Sequence, residues 1–106
     1  VLDALEYIEN NFTKDITLEE AASAAGQGIS SFYLSRLLSQ QLQTSFVELL
    51  AAARINKAIS LMRKQLPEER NISSQVGYQS AAYFYRVFKK NTGMTVGEMR
   101  EFLTEM

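Results

Sequence analysis

The sequence predicts an all-α protein of about seven helices, and three observations support this prediction. Apolar residues recur at helical spacing along nearly the whole chain. No Asn-Gly or Asp-Gly pair occurs, so the commonest signal for a β-hairpin is missing. The segment 30–38 recurs in kind at 80–88, with its serine, tyrosine and arginine in the same places. A repeat of this length indicates two copies of one supersecondary unit.

The first two helices are predicted from an apolar stripe and a capping motif. Apolar residues at i, i+3, i+4 spacing from Leu2 onwards predict an amphipathic helix over residues 1–12. Thr17-x-x-Glu20 is a capping box, in which the hydroxyl and the carboxylate each accept a free backbone N–H. It predicts a short second helix, which the Gly26-Gln-Gly28 turn ends because glycine tolerates left-handed backbone conformations.

The third and fourth helices follow from two further caps. Ser30 is a candidate N-cap for a helix that runs to about Leu42. Ser45-x-x-Glu48 is a second capping box, and the apolar pattern after it continues without a breaker to about Gln65. This predicts a fourth helix of about 20 residues, roughly 30 Å long at 1.5 Å per residue.

The last three helices are predicted from the proline, glycine and hydroxyl positions of the second half. Pro67 suits the first turn of a fifth helix, which ends at Gly77. Ser80 caps a sixth helix that runs to about Asn91 before Gly93 stops it. Thr95-x-x-Glu98, a third capping box, opens the last helix.

The length of 106 residues predicts one domain with a modest core. Within it the repeat predicts three parts, namely a first subdomain at 1–44, a linker helix at 45–65 and a second subdomain at 66–106. The abrupt start at Val1, without a basic leader, suggests a domain excised from a longer protein. No apolar run approaches the roughly 18 residues that a membrane span needs.

The composition argues against an enzyme. The chain has no cysteine, which excludes disulfides and thiolate metal sites, and no histidine, the commonest general base and zinc ligand. No carboxylate pair has the spacing of an acid–base or metal site, so no catalytic constellation can be named. We therefore expect neither an enzymatic activity nor a metal or organic cofactor.

The charge is distributed unevenly along the chain. The net charge is only −1. Before residue 30 there are six acidic residues and Lys14 is the one base, whereas residues 30–100 contain ten bases and four acids, a net charge of +6. A basic segment of this kind suits a phosphate-bearing partner, although a solvated surface explains it equally well.

Each repeat consists of a short helix, a glycine-containing turn and a capped helix that carries tyrosine and arginine. This is the arrangement of a helix-turn-helix, whose second helix can enter the major groove of DNA. Arginine can bind guanine O6 and N7 bidentately, and the helix N-terminus suits a phosphate. Two such units in one chain can reach neighbouring major-groove faces, which lie about 34 Å apart.

Several residues of the repeats also have purely structural interpretations. Four are assigned to the core by their helical spacing: Leu34, Leu37, Phe84 and Phe88. Tyr33 and Tyr83 are expected mainly to pack. Ser30 and Ser80 are most simply N-caps, although a cap in this place can also lie beside a phosphate.

The arginines and lysines of the repeats have two interpretations. Arg36 and Arg86 can contact bases or phosphates, or each can pair with a carboxylate on a helix. Lys89 and Lys90 follow Arg86 directly, so this cluster is the strongest candidate in the chain for phosphate contact.

With these repeats, the sequence resembles the DNA-binding domain of the AraC/XylS family of bacterial transcription regulators over essentially all 106 residues. The resemblance is carried by Arg54-Ile55-x-x-Ala58-x-x-Leu61-Met62, Ile72, Val76-Gly77-Tyr78, Tyr83-Phe84-x-Arg86-x-Phe88-Lys89-Lys90, Gly93-x-Thr95 and Arg100. It looks most like the C-terminal output domain of a response regulator. The family implies seven helices, two helix-turn-helix units and a long linker helix.

The resemblance also implies site residues and partners. Transferred by motif position, the DNA-contacting residues of the first unit are Ser31, Phe32, Ser35 and Arg36, beside Ser30. Those of the second unit are Gln79, Ala81, Ala82, Tyr85 and Arg86, beside Ser80, Lys89 and Lys90. The implied partners are double-stranded promoter DNA, RNA polymerase and a preceding sensor or receiver domain, in the cytoplasm of a bacterium.

The chain departs from the family pattern in four places, and the first and third of these are expected to affect affinity or geometry rather than fold. The first turn, Gly26-Gln-Gly28, is about two residues longer than usual. Leu38-Ser39 replaces the usual Phe-Lys, Glu69 and Ser73 replace apolar residues before the second turn, and Val96 replaces a proline.

Two function classes follow from the sequence. The leading hypothesis is sequence-specific binding of double-stranded DNA. The alternative is a degenerate helix-turn-helix domain that works mainly as a protein-interaction module. The acidic character of the segment 1–29 favours it, as does Ser39, which stands where the family pattern has a lysine.

Overall fold

The computed structural model describes residues 1–64 and 72–105. Within these residues the secondary structure consists of seven α-helices and no strand, as the sequence predicts. The helices are α1 (Leu2–Asn11), α2 (Leu18–Ala25), α3 (Ser31–Leu42), α4 (Phe46–Arg63), α5 (Ile72–Gln75), α6 (Ala81–Thr92) and α7 (Val96–Glu105). None of the helices described is long and apolar enough to cross a membrane.

The chain divides into two compact units, Val1–Ala53 and Arg54–Met106, and the division falls inside α4. Each unit contains a helix-turn-helix pair, α2 with α3 in the first and α5 with α6 in the second. We call them unit 1 and unit 2.

Unit 1 has a small core built from three helices. Its fully buried residues are Ala4 of α1, Ala21 and Ala22 of α2, and Leu34 and Leu38 of α3. The alanines let α1 and α2 approach closely, and larger side chains such as Leu49 pack around the edge. This core holds α3 by two leucines one turn apart and leaves the opposite face of the helix in solvent.

Unit 2 has the larger core, and it is rich in aromatic residues. Phe84 and Phe88 of α6 are fully buried, and their ring centroids lie 5.8 Å apart in an edge-to-face arrangement. Residues from the C-terminal half of α4, from α5 and the turn after it, and from the start of α7 surround them: Ile55, Ala58, Leu61, Met62, Ile72, Val76, Tyr78 and Val96. The two phenylalanines therefore anchor α6 to this core.

The repeat seen in the sequence is also a structural repeat. Helices α3 and α6 have 12 residues each and begin at equivalent positions. The N-cap hydroxyl of Ser30 accepts the backbone N–H of Tyr33 at 3.0 Å, and that of Ser80 accepts the N–H of Tyr83 at 3.2 Å. These bonds confirm both predicted caps and set the same helical phase in both units.

The capping boxes differ in how completely they form. In α2 both halves are present, since Thr17 and Glu20 each accept a backbone N–H of the other. Thr95 and Glu98 do the same at the start of α7, with distances of 2.9 and 3.0 Å. At α4 the Ser45 hydroxyl accepts the N–H of Glu48, whose carboxylate accepts instead from the Thr44 hydroxyl at 3.5 Å.

The structure differs from the sequence predictions at some positions. Leu37 is only half-buried, and its neighbour Leu38 takes the fully buried place one turn after Leu34. Five residues, 26–30 and 76–80, separate the helices of both helix-turn-helix pairs, so the two turns have the same length, and the greater length of the first turn relative to the family stays a prediction. The predicted fifth-helix start at Pro67, the fourth-helix end at Gln65 and the departure at Glu69 lie outside the described residues.

The C-termini of α3 and α6 suggest a test of backbone strain. Both helices end on a left-handed residue, which is Gly93 with φ 79° in α6 but Gln43 with φ 54° in α3. Because a residue with a Cβ adopts this conformation at a cost, Gln43→Gly is expected to stabilise the protein by roughly 0.5–1 kcal/mol. The reciprocal Gly93→Gln should destabilise it by a similar amount. Urea unfolding measures the free energy of unfolding of each variant and of the wild type. Equal values for all three proteins would contradict this expectation.

Candidate nucleic-acid interface

The outward face of α3 contains the residues predicted to contact DNA in unit 1. Ser30, Phe32, Ser35 and Arg36 are exposed, and Ser31 is half-buried. Phe32 is 69 % exposed, so most of its ring faces solvent. The core holds the helix through Leu34 and Leu38 on the opposite side, so this face is available to a partner.

The equivalent face of α6 is exposed along its whole length. Its predicted contacts are all exposed: Gln79, Ser80, Ala81, Ala82, Tyr85, Arg86, Lys89 and Lys90. The methyl groups at Ala81 and Ala82 leave the first turn free of bulk. The three cations then follow on the next two turns of the helix.

Four of these residues line an open groove of about 640 Å³ in unit 2. Tyr85, Arg86, Lys89 and Lys90 form one side. The other side is the start of α7, with Thr95, Val96 and Gly97. Nothing in the sequence pairs these two segments directly, and the groove arises because Val96 packs into the core beside α6.

Each arginine of the repeat lies over an aromatic ring of its own helix. The Arg36 guanidinium carbon is 5.9 Å from the centroid of the Phe32 ring. The Arg86 guanidinium carbon is 5.6 Å from the Tyr83 ring centroid. Both distances are in the range of cation–π attraction. The two units therefore restrain an arginine in similar ways, but with rings from different positions.

A buried arginine of α4 contacts a buried tyrosine in the turn before α6. Arg54 is 8 % and Tyr78 is 7 % exposed, and the Arg54 guanidinium carbon lies 4.8 Å from the Tyr78 ring centroid. Burial raises the pKa of Tyr78 above its ordinary value, while the charge and hydrogen bond of Arg54 act in the opposite direction. The buried cation is thus balanced by an aromatic face and a phenol oxygen rather than left in an apolar core.

This pKa predicts how stability changes in alkaline solution. Native Tyr78 keeps its proton to a higher pH than the unfolded chain does, so its contribution is complete below pH 10.0, the ordinary value. The contribution is lost as pH rises through the native pKa. We expect Tyr78→Phe to reduce the fall in unfolding free energy above pH 10, with exposed Tyr85→Phe as control. Guanidinium unfolding at several pH values measures this, and an unchanged profile in Tyr78→Phe would contradict it.

Glu98 lies in the first turn of α7, in the same unit. Its pKa is lowered, first by the hydrogen bond from the Thr95 backbone and then by that from the Thr95 hydroxyl, with a further contribution from the charge of Lys89. Glu98 therefore stays ionised to a lower pH than an ordinary glutamate and serves as the cap of α7.

The structure thus places the predicted contact residues on two outward helix faces, one in each unit. Sequence reasoning missed the α7 side of the groove, the ring beneath Arg86 and the burial of Arg54. The spacing of three residues between Tyr83 and Arg86 was a usable signal for the ring contact, since such pairs meet on a helix.

Comparison with known proteins agrees with this architecture. A family profile described as a helix-turn-helix domain matches residues 14–101. Over all 106 residues the chain is 31 % identical to the xylose operon regulatory protein of Escherichia coli K12.

The chain belongs to the AraC/XylS family. As in other AraC/XylS proteins, it is a DNA-binding domain of a transcription regulator. The chain spans about a quarter of the xylose regulator, 26 % of its length.

Two solved AraC/XylS-type structures have the same fold. The C-terminal domain of AraT, a response regulator from Geobacillus stearothermophilus, is 37 % identical and superimposes with a TM-score of 0.81, covering 93 % of this chain and 81 % of that one. The C-terminal domain of the two-component response regulator YesN from Fusobacterium nucleatum is 28 % identical, with a TM-score of 0.78 and coverage of 92 % and 93 %. Both neighbours are C-terminal domains of response regulators.

Proposed function

We propose that this domain binds double-stranded promoter DNA in a sequence-specific manner, with α3 and α6 each entering a major groove. The observation that carries the proposal is the repeated outward face. In both units a serine-capped helix of 12 residues presents small side chains in its first turn and an arginine over a ring, while the opposite side is buried. A surface repeated in this way suits a ligand that is itself periodic.

The residues divide into base readers and phosphate binders. Arg36 and Arg86 have the length and the planar donor group to pair with guanine, and Phe32 can contact the methyl group of thymine. In unit 2 the small side chains of Ala81 and Ala82 allow α6 a close approach to the bases. Ser31, Ser35, Gln79 and Tyr85 supply further polar contacts to bases or backbone.

The phosphate contacts are assigned to the helix starts and to the basic end of α6. Ser30 and Ser80 lie at helix N-termini, where backbone N–H groups favour anions. Lys89 and Lys90 stand on the groove beside α7, where the DNA backbone would pass once α6 lies in the major groove. These lysines contribute affinity and little sequence preference.

We further propose that each subdomain reads one half-site of the DNA. Subdomain 1–44 reads one, subdomain 66–106 reads the other, and the helix at 45–65 links the two subdomains. Selection of binding sequences from random duplexes tests this directly. Two half-sites about 10 bp apart would implicate both units, and one half-site would implicate a single unit. Failure to enrich any sequence at low salt would overturn sequence-specific binding.

The charge contacts predict a steep salt dependence. Lys89→Ala is expected to weaken binding to all sequences about equally and to reduce the slope of log affinity against log salt by about one. Lys57→Ala removes the same charge from an exposed position of α4, outside the proposed interface, and should leave the slope unchanged. Fluorescence anisotropy across a salt series measures both, and identical slopes for Lys89→Ala and wild type would remove Lys89 from the interface.

A protein-interaction role is the second candidate, and the acidic surface of unit 1 favours it. All six acidic residues before position 30 are exposed: Asp3, Glu6, Glu9, Asp15, Glu19 and Glu20. Ser39 is exposed as well, without the cation common in the family. RNA polymerase and a preceding sensor or receiver domain are the partners proposed for such a surface. Binding to one of them without measurable DNA affinity at low salt would favour this role.

The relative and the solved neighbours are regulators by name, which supports a role without catalysis. The proposal therefore assigns no reaction and no cofactor to the domain.

A further inference from the structure

Four side chains of unit 2 form a continuous series of contacts that ends at Arg86. The Arg54 guanidinium lies 4.8 Å from the Tyr78 ring centroid. The Tyr78 ring meets Tyr83 edge-on, with centroids 5.8 Å apart and planes at 62°. Tyr83 in turn lies beneath the Arg86 guanidinium at 5.6 Å. The series begins in the buried core and ends on the outward face of α6.

We propose that Tyr83 is a positioning residue, which orients the Arg86 guanidinium for base reading and is itself fixed through Tyr78 by buried Arg54. This inference rests on the proposed function, because it assumes that Arg86 reads a base. It assigns a role in specificity to three residues that were expected only to pack or to carry the fold.

The physical basis is preorganisation. A free arginine side chain loses much rotamer freedom when it pairs with a base, and a side chain already restrained loses less. A ring beneath the guanidinium restrains it while leaving the N–H donors at its planar edge available to guanine. Tyr83 can act in this way only if its own ring is held, and the edge contact with buried Tyr78 holds it.

Unit 1 provides an internal comparison. Tyr33 occupies the position equivalent to Tyr83 and is equally exposed, 49 % against 48 %. The ring beneath Arg36 is nevertheless Phe32, and it is 69 % exposed. The position equivalent to Tyr78 is Gly28, which has no side chain to hold a ring. The inference therefore predicts that Arg86 is the better oriented of the two arginines.

The test compares Tyr83→Leu, which removes the ring but keeps apolar bulk, with Tyr83→Phe, which keeps the ring. The Ser80 cap uses the backbone N–H of residue 83, so neither variant removes it. The DNA is the duplex selected by the wild-type protein, and a second duplex changed at the base pair where Arg86→Ala loses its preference. Tyr33→Leu is the matched control, and thermal melting verifies that each variant is folded.

We expect Tyr83→Leu to lose between about twofold and fivefold in affinity for the selected duplex, the worth of one exposed cation–π contact. Affinity for the changed duplex and the salt slope should stay the same, and Tyr83→Phe and Tyr33→Leu should resemble wild type. In an Arg86→Ala background Tyr83→Leu should have no further effect, because the two residues act as one unit. In the free protein, the NMR signals of the Arg86 side chain should shift in Tyr83→Leu and hardly in Tyr83→Phe.

The outcomes separate the inference from the proposed function. If Arg86→Ala binds both duplexes like wild type, base reading by Arg86 fails and the inference fails with it. If Arg86→Ala loses its preference but Tyr83→Leu does not, the positioning role alone is overturned. An equal loss from Tyr83→Leu with and without Arg86 would also overturn it, because Tyr83 would then act independently.

Discussion

Replacing Phe88 by alanine is expected to lower the free energy of unfolding by about 3–5 kcal/mol, the largest effect of any substitution considered. The Phe88 side chain is fully buried, and its ring meets Phe84 edge-to-face at 5.8 Å. Alanine therefore loses both the transfer free energy of the ring and the contacts of the atoms that surrounded it. Because total stability is typically about 5–15 kcal/mol, a loss of this size removes much of it.

Leu38→Ala is the matched substitution, since Leu38 takes the place of Phe88 in the repeat and is equally buried. Its expected cost is about 2–5 kcal/mol. Denaturant unfolding gives the totals, and amide hydrogen exchange shows where protection is lost. We expect Phe88→Ala to lower protection in α6 and Leu38→Ala to lower it in α3. Losses below about 1 kcal/mol in both variants would contradict the two cores described.

The second large effect is expected on DNA binding. Arg86→Ala should cost about 1–3 kcal/mol of affinity for the preferred duplex and relax the preference at one base pair. The reason is that guanine O6 and N7 lose a bidentate partner that alanine cannot replace. Sequence selection with the variant locates the relaxed position, and anisotropy titration measures the loss.

Arg36→Ala provides the comparison between the units. It removes the same group from α3, where Phe32 is exposed and Ser39 stands in place of a cation. We expect relaxation at a different base pair, in the other half-site. If Arg86→Ala keeps the sequence preference but reduces the salt slope by about one, Arg86 contacts a phosphate rather than a base. An unchanged affinity would exclude Arg86 from the interface.

Much of the fold could be predicted because its signals are local. A capping serine and the N–H three residues later lie within one helical turn, so Ser30 and Ser80 are recognisable from the sequence alone. The complete box at Thr95 and Glu98 is equally local. The start of α6 was therefore predicted to the residue.

The errors arose where the phase of a helix against its neighbours decides burial. Leu37 and Leu38 are adjacent, and both fit an apolar stripe with Leu34 at i+3 or i+4 spacing. Contact with the alanines of α1 and α2 selects Leu38, which no spacing rule within α3 could determine. The identities of the DNA-contacting residues remain predictions, although their positions on two outward faces follow from the cores behind them.

The sequence by itself determined that this chain is helical, that it contains one helix-turn-helix unit twice, and which family it belongs to. These properties depend on periodicity, caps and motifs, whose residues are close together along the chain. Only the tertiary structure decided that Arg54 and Tyr78 are buried together and that Tyr83 lies between Tyr78 and Arg86. Arg54 and Tyr78 are 24 positions apart in the sequence, and their contact exists only because the core of unit 2 brings the middle of α4 beside the turn that precedes α6.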